Sequence, residues 1–127
     1  MNSQPAAVIS SRKKEIVKEF ITILDGNIAA LKAGTADYVF GIKDYASMLH
    51  VHPVHLTNTI KEVTGFSTCD LCEERMLKLA KELLTTTSLS VAQIARQLTY
   101  DPSNFTKFFK QFEGTTPKKF RDTNYTA

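Results

Sequence analysis

The chain resembles itself, and that self-similarity limits its fold more than any single motif does. At an offset of 49 residues, segment 42–65 aligns with segment 91–114 and six identities fall in register: Ala46 with Ala95, Leu49 with Leu98, Pro53 with Pro102, Thr57 with Thr106, Lys61 with Lys110, and Gly65 with Gly114. Apolar matches fill the gaps, among them Tyr45 with Ile94, Leu56 with Phe105 and Ile60 with Phe109. A self-match at fixed spacing marks one supersecondary unit built twice.

Each copy has a mechanical reading. Ile42, Ala46 and Leu49 put an apolar face on a short helix, and the small Ala46 lets a partner helix approach closely. Proline then stands at the start of a second helix, where its missing N–H costs no hydrogen bond. Gly65 and Gly114 supply the stops, since the left-handed backbone of a helix C-terminus is open to glycine. Two short helices held at a large angle around a tight turn form a helix-turn-helix, whose second helix enters the DNA major groove. Packing accounts for the repeated apolar positions. It does not require Lys61 and Lys110, which recur on the outer side of the second helix.

Around the repeats the periodicity is helical throughout. Ile16, Phe20, Leu24 and Ile28 recur every four residues over 11–32, with Ser10 or Ser11 as cap. After Gly34 the pattern breaks, and Tyr38-Val39-Phe40 reads as an apolar anchor within a loop. A long helix is expected from Thr68, as capping residue, to Leu84, ended by Thr85-Thr86-Thr87-Ser88. Thr116-Pro117 opens a final turn in which Phe120 returns to the core. No segment alternates as a strand does. The expected fold is all-α, with about seven helices and two helix-turn-helix subdomains joined by a long connecting helix. Its parts are a loosely packed N-terminus (1–10), an N-terminal helix plus first subdomain (11–67), the connecting helix (68–86), the second subdomain (87–122) and a tail (123–127).

Composition excludes several classes. With 43% hydrophobic residues among 127, the chain has enough apolar matter for a core. It lacks a glycine-rich phosphate loop, an H-E-x-x-H and a nucleophile elbow, so no enzyme is expected. No run is apolar enough for a secretion signal or a membrane span, which points to a cytoplasmic protein without a membrane partner. Cys69 and Cys72 form a C-x-x-C without the βαβ context of a redox motif. His50, His52 and His55 cluster near them in sequence but show no four-ligand spacing, so neither metal nor cofactor is expected.

The second copy reads V-A-Q-I-A-R-Q-L-T-Y-D-P-S-N-F-T-K-F-F-K-Q-F-E-G-T-T-P-K-K-F-R, and with I-K-D-Y-A-S-M-L-H-V-H-P-V-H-L-T-N-T-I-K-E-V-T-G before it the chain resembles the DNA-binding domain of AraC/XylS-type bacterial transcription regulators over roughly 15–121. The resemblance implies two recognition helices, about 53–64 and 103–113, in successive major-groove segments of one DNA face. It also implies activation or repression of transcription. His50 and Thr99 stand where such turns commonly carry glycine, suggesting altered turn backbones. No effector domain of the usual size precedes the region, as in a small stand-alone member or a piece of a longer chain.

Helical geometry then selects the candidate DNA contacts. In the first unit Val54, His55, Thr57, Asn58 and Lys61 lie on the outer face, with Leu56 and Ile60 inward. Asn58 suits adenine, Val54 a thymine methyl, and Lys61 a phosphate. The second set is Ser103, Asn104, Thr106, Lys107 and Lys110, where Lys107 suits guanine or phosphate. Lys118, Lys119 and Arg121 are further candidates for the phosphate backbone. Charge divides the copies: Ile42–Phe66 balances Lys43 and Lys61 against Asp44 and Glu62, whereas Ser90–Arg121 carries six basic residues against two acidic. The second unit should therefore supply most of the salt-dependent affinity. The expected partners are double-stranded DNA, bound by a monomer, and RNA polymerase. The alternative is an interaction module whose neutral first unit docks a polymerase subunit or another regulator.

Overall fold

Helix starts leave amide donors without intrahelical partners, and this chain meets six of its seven described starts with a capping side chain, α2 alone beginning at a glycine, Gly41. The computed structural model describes residues 9–126, and the expectation of a loose N-terminus falls largely on residues outside that range. Seven helices and no strand occur among the described residues: α1 (Ser11–Ala33), α2 (Ile42–Leu49), α3 (Pro53–Thr64), α4 (Thr68–Thr86), α5 (Val91–Gln97), α6 (Pro102–Glu113) and α7 (Pro117–Asn124). Ser10 caps α1, accepting from the Lys13 amide at 3.2 Å. Ser67, not Thr68, caps α4. Its hydroxyl accepts from the Asp70 amide at 3.0 Å while the Asp70 carboxylate accepts from the Ser67 amide at 3.1 Å, a reciprocal pair that places Thr68 inside the first turn. Thr116 caps α7 by accepting from the Lys119 amide at 3.2 Å.

One compact unit comprises the chain up to Asn27 together with Phe40–Cys72. Its core is made by Ile16, Val17, Phe20 and Leu24 of α1, Tyr45 and Ala46 of α2, and Leu56 and Ile60 of α3, all buried. The Phe20 and Tyr45 rings meet edge to face at 4.8 Å, and Phe40 adds a second edge contact to Tyr45 at 5.8 Å. Phe40 is therefore the foot of the loop, tied further by its amide to Asn27 Oδ1 at 2.9 Å. Tyr38, expected to share the anchor, is 51% exposed.

The other unit comprises Ile28–Val39 and the chain from Glu73 on. The segment 28–39, expected with the first subdomain, groups here because Gln97 of α5 donates to the carbonyls of Leu31 and Lys32 at 3.2 and 2.9 Å, and Lys32 pairs with Glu82. Leu31, Met76, Ala80, Leu84, Ile94, Leu98, Phe105 and Phe109 fill the core. Aromatic rings link α6 to its surroundings: Tyr100 stacks on Phe108 at 5.2 Å and Phe109 meets Phe120 at 5.4 Å. Helix α4 extends through Thr86, where the hydroxyls of Thr85 and Thr86 donate to carbonyls one turn back and fit its last turn. Helix α7 is eight residues long, more than the single turn expected, and reaches Asn124.

Candidate nucleic-acid interface

The two turns preceding the recognition helices have the same build. After α2, His50 takes a left-handed backbone with φ 57°, and the Val51 amide donates to Ala46 at 3.0 Å. After α5, Thr99 does likewise with φ 67°, and the Tyr100 amide donates to Ala95 at 2.8 Å. The sequence suggested that missing glycines would alter these turns. Instead both keep the conformation glycine favours, forced by the hydrogen bonds that close each turn. Helix α6 begins at Pro102 rather than 103, and each proline occupies the first helical position of its recognition helix. Gly65 and Gly114 end the helices at φ 81° and 82°, each donating to the lysine carbonyl four residues back at 2.9 Å.

On α3, Leu56, Thr59 and Ile60 are buried, and Val54, His55, Thr57, Asn58 and Lys61 are exposed, with Val54 at 62%. On α6, Phe105, Phe108 and Phe109 are buried, whereas Ser103, Asn104, Lys107 and Lys110 are exposed. Thr106 is half-buried, and its hydroxyl donates to the Pro102 carbonyl at 3.2 Å. Ser103 donates its hydroxyl to Asp101 Oδ2 at 2.6 Å, so it faces outward as an acceptor. That bond, with the Asn104 amide, holds the Asp101 carboxyl below its ordinary range.

Lys118 and Lys119 are exposed on α7, with Lys118 paired to Asp122 at 3.1 Å. Arg121 has a different task from the one expected. Its Nε donates to the Leu84 carbonyl at 2.8 Å and its Nη2 to the Thr87 carbonyl at 3.3 Å, closing the end of α4. The three histidines also separate: His50 forms the turn, His55 lies on α3, and His52 caps α3 by accepting the Val54 amide on Nδ1 at 3.1 Å. Among the described residues no group of three or more His, Cys, Asp or Glu is placed to hold a metal, and Cys69 and Cys72 form no disulfide.

Two braces escaped the sequence reading. Lys13 of α1 reaches Glu62 of α3 at 2.8 Å, and Lys81 of α4 reaches Glu113 of α6 at 3.0 Å. Each steadies a recognition helix near its C-terminal end from the preceding long helix. No short-range signal could have found them, since Lys13 and Glu62 lie far apart in sequence. By unit, the first carries six basic and six acidic side chains, and the second ten and seven.

A helix-turn-helix domain model matches residues 45–123, a span that takes in both recognition helices. The chain belongs to the AraC-type helix-turn-helix family of DNA-binding transcription regulators. The AraC-type region is 30% identical to the arabinose operon regulatory protein of Salmonella typhimurium over 68% of this chain and 31% of that protein. It is similar to the C-terminal domain of the response regulator AraT from Geobacillus stearothermophilus, at 28% identity and TM-score 0.68 over 83% of this chain and 88% of that one. The DNA-binding domain of AdpA, solved with a target DNA, shares the AraC-type fold at 20% identity and TM-score 0.65, over 79% and 90% of the two chains. The chain spans between 8% and 28% of the first three curated relatives it matches. Among the described residues no helix is long and apolar enough to cross a membrane.

Proposed function

We propose that this chain binds double-stranded DNA sequence-specifically as a monomer, with α3 and α6 in successive major-groove segments, and regulates transcription from there. One observation carries the reading. Positions 54, 55, 58 and 61 and their repeat partners 103, 104, 107 and 110 are all left bare, while 56 and 60 and their partners 105 and 109 are fully buried. The target DNA in the AdpA structure supports the same use of the fold. In this reading Asn58 contacts adenine, Val54 a thymine methyl and Lys107 guanine or phosphate, with His55, Thr57, Ser103, Asn104 and Thr106 beside them. Lys61, Lys110, Lys118 and Lys119 hold the backbone. Arg121 is left out, since its guanidinium is occupied by carbonyls. The role is non-catalytic and belongs in the cytoplasm at the nucleoid. RNA polymerase is the second partner, because its recruitment or obstruction turns a DNA-bound protein into a regulator.

Selection of bound sites from random duplexes tests this. Two different recognition helices on one chain should recover two unlike half-sites about 10 base pairs apart. A single half-site, or none with salt-sensitive affinity, would overturn two-helix reading and favour a protein-docking role for the first unit.

A further inference from the structure

We propose that His52 is a DNA-contacting residue of the first unit, donating Nε2–H to a backbone phosphate while its other ring nitrogen holds the start of α3. The assignment rests on the DNA-binding reading above. Because Nδ1 accepts the Val54 amide at 3.1 Å, the neutral ring must carry its proton on Nε2. His52 is exposed, three positions before the exposed His55 and two before Val54. Capping therefore fixes the tautomer and leaves a donor on the far side of the ring.

Capping alone does not explain a histidine there. Asn, Asp and Ser are the strong caps, and the chain uses Asp101 at the equivalent position of the second unit, where one carboxylate serves the amides of Ser103 and Asn104 at 3.1 and 3.4 Å. That carboxylate repels phosphate, a cost the second unit can bear with ten basic side chains to seven acidic. The first unit has no such surplus. Glu62 is already neutralised by Lys13, and the Asp44 carboxylate is held by the Gly41 amide at 2.9 Å. A cap that donates outward gives this neutral unit a phosphate contact without an added formal charge.

Replacements that all cap separate the two roles. Affinity for a duplex of about 30 base pairs and arbitrary sequence, long enough for two groove segments, is measured beside thermal unfolding for the unaltered chain and for His52→Asn, His52→Ser and His52→Asp. Each replacement supplies an acceptor to the Val54 amide, so melting temperature should stay level or rise. Asn also offers a donor and should bind within about twofold of the parent. Ser is too short to reach and should lose roughly three- to tenfold. Asp should lose more, by a margin that narrows as salt rises. If all four bind alike, or affinity simply follows melting temperature, the assignment fails and the DNA-binding reading stands. If the unaltered chain binds neither this duplex nor any site recovered by selection from random duplexes, the proposed function itself fails, and the assignment with it.

Discussion

Thr99 holds a β-branched side chain at φ 67°, a conformation that costs a non-glycine residue about 1–2 kcal/mol. Glycine there removes that strain and returns about 0.5–1 kcal/mol as chain entropy lost on folding. Thr99→Gly should therefore stabilise the second unit by up to about 1 kcal/mol, read as a rise in the urea midpoint at unchanged slope. Asp101 makes a pH prediction. Hydrogen bonds from Ser103, then Asn104, hold its carboxyl below the ordinary aspartate range. A depressed carboxyl contributes stability above its unfolded pKa and loses it as pH falls through the folded one. Acid unfolding of the parent should thus steepen below about pH 4. Asp101→Asn keeps the cap and should flatten that limb; equal acid limbs would remove Asp101 as the cause. The chemistry of these residues was readable from their types, and the proline starts and glycine stops were legible to within a residue. The left-handed Thr99 was not, because propensity argues against it and only the closing hydrogen bond imposes it.

Among the elements, the recognition helices were the most legible, since their apolar period, proline start and glycine stop agree. Helix ends closed from a distance were not. Gln97 closes α1 at Leu31 and Lys32, and Arg121 closes α4 at Leu84 and Thr87. These contacts span 34 to 66 residues, beyond any local signal. Arg121→Ala should expose those carbonyls and cost about 1–3 kcal/mol of stability. Arg121→Lys should recover only part, lacking the fork that reaches two acceptors. An Arg121→Ala variant with parental stability but a shallower salt dependence of DNA binding would instead restore Arg121 to the phosphate contacts.

At the level of the whole molecule, the net charge of +3 lies entirely in the second unit. Lys107→Ala should weaken DNA binding through the second half-site alone and lower the salt slope by about one unit, as loss of one phosphate neutraliser does. Equal losses at both half-sites, read by footprinting, would mean that the two recognition helices are misassigned. The all-helical class, the duplicated turn and the outward faces of α3 and α6 were present in the order of residues, because helical periodicity and glycine and proline geometry act over a few neighbours. Tertiary structure alone decided that Glu62 is answered by Lys13 and that Arg121 is spent on α4. Each depends on atoms brought together across the chain, which no local pattern encodes.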